Sequence, residues 1–313
     1  MTRIFILLSF ICSLSAEVSA ESFPLPSAGN QLVGEIQYVE SLAGETLLDI
    51  ARRFDLGYNE ITAANPHVDP WLPDEGTRIL VPTRFVLPQT PWRDVVVNLS
   101  EMRMYYFPAP RNGEAPSVIT HPIGIGREGG ATPVGDFQIV MKIDHPNWTM
   151  PEAVYNELLS NGIETPRLIP SGPDNPLGEY AMKLNADGLF IHGTNKPYSI
   201  GMRVTLGCLR LYPEDINQLI HQIPKGMAVH IVDQPYKVGK ENGVLFIEAH
   251  APIEHDAPNA GGGMTPEVAG VVAGVVESNV GRLSPAQWEY IVALAGRHTG
   301  VPTAISRRIV SNN

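Results

Sequence analysis

Cysteine is almost absent from this chain. Two occur in 313 residues, Cys12 and Cys208. Cys12 lies in an apolar N-terminal run, so the body of the chain holds one thiol and can close no internal disulfide. Positive charge is also scarce. The 22 Lys and Arg against 33 Asp and Glu leave a net charge of −11, which argues against nucleic acid or an anionic membrane surface as a partner. Long apolar runs are missing after residue 20, so no later stretch reads as transmembrane. Metal-motif spacing is missing where it would be looked for first. Glu248, His250, Glu254, His255 and Asp256 crowd together, but they lack a pattern such as His-Glu-x-x-His and sit beside a loop. They read as a solvated polar segment.

What is present begins with a leader. Residues 1–20, MTRIFILLSFICSLSAEVSA, carry Arg3, an apolar core from Ile4 to Leu14 and a small-residue exit at Val18-Ser19-Ala20. That is the pattern of a cleaved secretory signal peptide. The run is shorter than the roughly 20 residues that span a bilayer. Phe10 and Ile11 are too bulky for a lipoprotein signal ahead of Cys12, so Cys12 is expected to leave with the peptide. The mature chain is expected in the periplasm or outside the cell, with no membrane anchor. The commoner fate of a free cysteine is to be an inert buried thiol. In an oxidising compartment, however, an unpaired thiol is a liability unless it works, which marks Cys208 for a chemical role.

The remainder divides by pattern. The composition is 43% hydrophobic with 29 Gly and 28 Pro, which suits a globular, turn-rich chain with more than one core. Residues 36–83 read as strand, helix, helix, strand. IQYVES alternates. In AGETLLDIARRF, Thr46 is placed to cap a helix whose one face carries Leu47, Leu48, Ile50, Ala51 and Phe54. NEITAANP gives a second short helix, and GTRILVPT a closing strand. Residues 94–233 read as mostly β: DVVVNLSEMRMYYF, APSVITHPIGIG, TPVGDFQIVMKI, GLFIHGT and MAVHIVD are strands between Gly and Pro turns. IPSGPDNPLGEYAMKL is a long loop entering a strand, and YPEDINQLIHQI is a helix. The expected fold class is mainly β with α, a β-sandwich with one or two helices packed on it. Residues 257–263, APNAGGG, read as a linker. Residues 264–313 read as a helical segment packing back on the main domain, with Ser284 as cap, Pro285 at the first helical position, and Trp288, Ile291, Val292 and Ala295 on one face.

Residues 36–83 resemble the LysM module, through Tyr38, GETLLDIARRF, ANP and GTRILVP. The resemblance implies a fold that binds the glycan strands of peptidoglycan, through the segments around Gly44-Glu45-Thr46 and Asn65-Pro66. A second resemblance rests on His192-Gly193-Thr194, Ile200-Gly201 and Thr205-Leu206-Gly207-Cys208-Leu209-Arg210. With IGIG at 123–126, TPVGDF at 132–137 and GPDNPLG at 172–178, these residues resemble the signature of the YkuD-type L,D-transpeptidases. The order of parts is similar to the periplasmic ErfK/YbiS/YcfS/YnhG family. Many relatives have His where this chain has Leu206, which leaves His192 as the one motif histidine.

The resemblance implies Cys208 as nucleophile and His192 as base. A free thiol near pKa ~8.5 is mostly protonated at neutral pH and needs such a partner. It also implies that Gly193 accepts a hydrogen bond from His192 through its carbonyl and so fixes the tautomer. Gly207 leaves the sulfur approachable, and amides around Gly207 and Cys208 face the oxyanion. Arg210 is a substrate-carboxylate ligand, or a surface partner of Glu214 or Asp215. Thr194 and Thr205 join Gly207 and Arg210 as implied substrate-binding residues. The implied reaction moves the acyl group of a peptidoglycan tetrapeptide stem to an amine, with no cofactor and no metal. The acceptor stays open. Diaminopimelate would give a 3–3 cross-link, the lysine of a small outer-membrane lipoprotein an anchored protein, and water an L,D-carboxypeptidase or wall-remodelling hydrolase. A non-catalytic wall-binding scaffold is the reading from another class. Such a scaffold would be free to lose the Cys, the His or the Gly, and this chain keeps all three.

Overall fold

A computed structural model describes residues 21–111, 113–253 and 266–305. The leader at 1–20 and the linker at 257–263 lie outside the described residues. In chain order the strands and helices are β1 (Glu21–Pro24), β2 (Leu32–Gly34), β3 (Gln37–Glu40), α1 (Leu47–Arg53), α2 (Tyr58–Ala64), β4 (Arg78–Val81), β5 (Arg84–Val86), β6 (Asp94–Asn98), β7 (Arg103–Phe107) and β8 (Ser117–Pro122). There follow β9 (Ile125–Gly126), β10 (Gly135–Asp144), β11 (Trp148–Thr149), α3 (Glu152–Ser160), β12 (Leu168–Ile169), β13 (Tyr180–Leu184) and β14 (Phe190–His192). The chain continues with β15 (Arg203–Thr205), β16 (Leu209–Arg210), α4 (Pro213–Gln222), β17 (Ala228–Val232), β18 (Tyr236–Glu241), β19 (Val244–Ala249), α5 (Pro266–Val280), α6 (Pro285–Ala295) and β20 (Thr303–Ala304).

One curled nine-stranded sheet organises the chain, in the order β1-β8-β7-β6-β17-β10-β13-β14-β16. The mainly β fold with added helices is as expected, and the sheet curls. Its central strands are buried on both faces. Val95, Val97, Met104 and Tyr106 enter one core with Ile191, Leu209, Ile216 and Leu219. The alternate residues Val96, Tyr105 and Phe107 enter a second core with Leu47, Ile50, Leu56 and Ile79. This two-sided burial is why DVVVN and MYYF are continuous apolar runs rather than alternating ones.

The second core belongs equally to residues 36–83. Their order is strand, helix, helix, strand, with β3 antiparallel to β4. Thr46 caps α1 as expected. Its hydroxyl accepts from the Asp49 amide at 3.1 Å while Asp49 accepts from the Thr46 amide at 3.0 Å, a capping box. This unit is no bead on a string, because its core is completed by the reverse face of the large sheet.

Behind residue 233 the helices meet a hairpin that the expectation did not include. Val272 and Val276 of α5 and Ile291 and Ala295 of α6 pack on Val238, Leu245 and Ile247 of a hairpin, β18–β19, which β20 extends. The α6 cap and first-turn proline are as read, although Val292 is 37% exposed and off the buried face. Glu248 and His250 are not part of a solvated segment. They are buried with Lys237 and Glu101, and Glu254, His255 and Asp256 lie outside the described residues. Lys237 Nζ contacts Glu101 and Glu248 at 2.8 Å each and donates to the Val86 carbonyl at 2.6 Å. The ion network thereby bolts the hairpin to the sheet and to β5.

Candidate active site

β14 and β16 run parallel and adjacent, with Ile191 opposite Leu209 and His192 opposite Arg210. His192 ends its strand and Cys208 immediately precedes the other, so strand pairing alone brings together two residues separated by a long loop. Both open onto a cleft of about 530 Å³, lined also by Arg210, Thr205, Leu206, Phe190, Trp148, Pro151 and Val154.

His192 is buried, and its Nδ1 donates to its neighbour's carbonyl, Gly193 O, at 2.6 Å. That bond fixes the tautomer and leaves Nε2 with a lone pair. Burial, reinforced by the positive charge of Arg210, lowers the imidazole to about 4, with the Gly193 bond opposing. The ring is therefore neutral at pH 7. Burial pushes the Cys208 thiol upward, against the opposing pull of the Phe190 amide and of Arg210. The sulfur donates to the Gly188 carbonyl at 3.2 Å. The resting pair is thus thiol and neutral imidazole, a base waiting for a proton rather than a preformed ion pair.

Gly207 has φ +101°, a conformation L side chains rarely adopt, whereas the nearest atom to an added Cβ is Ala131 O at 3.4 Å. Backbone shape, more than room above the sulfur, is what requires glycine here. Thr132 Oγ1 donates to the Gly207 carbonyl at 2.9 Å and accepts from the Gly126 amide, also at 2.9 Å. IGIG and TPVG are thereby tied to the nucleophile loop. Thr205 Oγ1 donates to the Cys208 carbonyl at 2.7 Å.

A model of the YkuD family, described as an L,D-transpeptidase catalytic domain, matches residues 93–231. Over 247 residues the chain is 38% identical to the probable L,D-transpeptidase YcfS of Escherichia coli K12, covering 77% of this chain and 76% of that one. The chain belongs to the YkuD L,D-transpeptidase family. It is similarly 38% identical over 248 residues to the probable L,D-transpeptidase YbiS of the same strain, covering 78% of this chain and 79% of that one. Against the ErfK/SrfK protein of Salmonella typhimurium it is 38% identical over 252 residues, covering 79% and 80%.

The site residues expected of an L,D-transpeptidase do not all converge. Cys208, His192, Arg210 and Thr205 line the cleft, and Gly193 supplies the carbonyl behind His192. Thr194 does not line it. Its hydroxyl accepts from the Lys196 amide at 2.9 Å and closes a turn. Arg210 is no partner of the acids that follow it. Glu214 is held by Arg52 through two bonds of 2.8 and 2.9 Å, and Asp215 turns towards His121 at 3.2 Å. Arg210 donates to Ser199 Oγ at 2.8 Å, and its buried Nε has no partner. It lines the cleft wall.

Sequence reasoning missed the far wall. The short β11–β12 pair and α3 bring Trp148, Pro151 and Val154 to the cleft. The run EAVYNELL ending at Asn161-Gly162 is a readable helix with a stop signal. No residue of 36–83 lines the cleft. That unit instead grips the loop between His192 and Cys208. The Tyr58 amide donates to Ile200 O at 2.9 Å, and a Cβ on Gly201 (φ +78°) would stand 2.4 Å from the Tyr58 nitrogen. In the segments around Gly44-Glu45-Thr46 and Asn65-Pro66 two side chains are bonded within the unit. Asn65 donates to Ile61 O and Leu80 O and accepts from the Leu80 amide, each at 2.8 Å. Glu45 pairs with Arg53 at 2.8 Å.

Proposed function

We propose that this enzyme is a periplasmic peptidoglycan transpeptidase. In this reading Cys208 takes the acyl group of a tetrapeptide stem and hands it to an amine. His192 Nε2 removes the thiol proton as sulfur attacks the carbonyl carbon. The tetrahedral oxyanion faces amides around Gly207 and Cys208. The C–N bond breaks, the imidazolium protonates the departing D-alanine amine, and a thioester remains. An incoming amine gives up a proton to His192 and attacks the thioester. The C–S bond breaks, and the thiol recovers its proton. Arg210 holds a carboxylate of the stem. The observation that carries this reading is the parallel pairing of β14 with β16, which places a tautomer-fixed neutral imidazole and the lone described thiol at one cleft.

The wall built by Trp148, Pro151, Val154, Leu206 and Phe190 favours an amine acceptor over water, because an apolar lining disfavours free solvent at the thioester. Residues 36–83 are proposed as a LysM-like glycan contact. Trp71 is 60% exposed there and rests on Tyr58, with ring centroids 6.2 Å apart. Purified enzyme would be incubated with tetrapeptide-rich sacculi, and muropeptides and lipoprotein adducts measured by mass. New 3–3 dimers or lipoprotein adducts, lost with Cys208→Ala, are expected. Tripeptides without either product would replace the transferase reading with a carboxypeptidase one.

A further inference from the structure

Two buried clusters in this chain hold the same donor set, two carboxylates and one histidine: Glu101, Glu248 and His250, and Asp55, His121 and Asp215. They differ in what balances them. In the first, Lys237 Nζ sits between the two glutamates at 2.8 Å from each, and His250 Nε2 contacts Glu248 at 2.7 Å. The chain supplies its own cation. In the second no lysine arrives. His121 Nδ1 lies 3.2 Å from Asp215 Oδ1 and 3.6 Å from Asp55 Oδ2. Both ring nitrogens of His121, both carboxylate oxygens of Asp55 and Asp215 Oδ2 are buried without a hydrogen-bond partner. Buried polar atoms left in this state are costly.

The neighbouring charges do not resolve it. Arg103 is spent on Glu60 at 2.7 and 3.0 Å, on Thr120 Oγ1 at 2.8 Å and on the backbone carbonyl of Asp55 at 2.8 Å. Arg52 is spent on Glu214. Two carboxyl groups and an imidazole thus face one another in a fully buried pocket to which the described residues bring no lysine.

We propose that Asp55, His121 and Asp215 form a structural site for one divalent transition-metal ion of the Zn²⁺ class. Zn²⁺ takes imidazole nitrogen and carboxylate oxygen at about 2.0–2.2 Å, which in a tetrahedron sets donor atoms about 3.3–3.5 Å apart. The observed separations of 3.2 and 3.6 Å bracket that edge. The three donors come from three places: the end of α1, strand β8 and helix α4. The ion would staple the N-terminal unit to the catalytic sheet and to the helix that follows the nucleophile. It takes no part in the acyl transfer, and its test does not depend on that reading.

The catalytic thiol is a competing ligand, so the test uses untagged protein carrying Cys208→Ala, stripped with a chelator and then titrated with Zn²⁺ alone. One equivalent should bind, and the thermal midpoint should rise with free Zn²⁺ and saturate. Co²⁺ should give the visible bands of a four-coordinate N/O site without a thiolate charge-transfer band. Adding Asp55→Asn or His121→Gln should weaken binding at least tenfold and abolish the metal-dependent rise, while circular dichroism shows a native fold. Asp55→Asn should not lower the midpoint of the metal-free protein, because it replaces one of two facing buried carboxyls by an amide of the same shape. Three results would each overturn the proposal. These are no saturable binding, binding unchanged in both variants, and a midpoint that responds to pH but not to Zn²⁺, the behaviour of two aspartates sharing a proton.

Discussion

Acylation of Cys208 should be nearly independent of pH across the neutral range. His192 titrates at about 4 because it is buried beside Arg210. About one imidazole in a thousand is then protonated at pH 7, and about one in ten at pH 5. Burial holds the thiol above its ordinary value, so thiolate is scarce until strongly alkaline pH. The reactive neutral pair is therefore the dominant species from about pH 5.5 to about pH 8, and the acid limb has its midpoint near 4. Single-turnover acylation by a carbapenem, followed by intact mass at constant ionic strength, measures it. A preformed thiolate–imidazolium pair would instead lose rate on the alkaline side as the imidazolium deprotonates. An acid midpoint at 6 or above, or an alkaline fall below pH 8, would refute the reasoning. Arg210→Gln removes the second cause of the low value, so the acid midpoint should rise yet stay below 6.5, because burial remains. The same shift acts on stability. The folded value lies below the unfolded one, so the unfolded chain binds more protons between about pH 4 and 6.5. As pH falls through that window this group removes up to about 3 kcal/mol. Circular dichroism at each pH separates lost fold from lost rate.

His192→Ala should slow acylation by about 10²-fold or more, the general-base contribution, with the cleft otherwise intact; an unchanged rate at neutral pH would remove it from the mechanism. Lys237→Met leaves Glu101 and Glu248 buried without their cation and should cost about 3–5 kcal/mol in chemical denaturation, with Glu248→Gln added to it restoring part of the loss. Deleting residues 36–83 uncovers Val96, Tyr105 and Phe107, so the remainder should aggregate rather than act as a free catalytic domain. Trp71→Ala, read by sedimentation with sacculi, is the gentler probe of glycan binding, and unchanged binding would count against that surface.

The sequence carried local features and pairings that follow from motif, and withheld what depends on distant neighbours. Thr46 and Ser284 were readable as caps because capping is settled within four residues. Cys208 and His192 were readable because their flanks form a signature. The hairpin β18–β19 was hidden, since YKVGKENGVLFIEA buries a lysine whose partners Glu101 and Tyr105 lie more than a hundred residues upstream. Glu248 and His250 looked solvated for the same reason: polarity read without partners suggests water. The bonds of the Asn65 amide to Leu80 across the module were likewise unreadable. Strand order was likewise invisible, because it is decided by pairings such as Val229 with Val95, which no local pattern records.

The join between the two ends of the chain has a consequence for how the molecule is assembled. Gln31 donates its amide to the Lys240 carbonyl at 2.8 Å and accepts from the Lys240 amide through its side chain at 2.6 Å, and Arg84 reaches Glu241 at 2.6 Å. These contacts close across most of the sequence, and non-local closure slows folding. A chain emerging amino end first can form α1 and α2 early, yet the layer behind β7 stays open until Lys237 and Glu248 follow. Glu101 then waits in water for its counter-ion. The nucleophile loop is gripped at Ile200 and Gly201 by that same early unit.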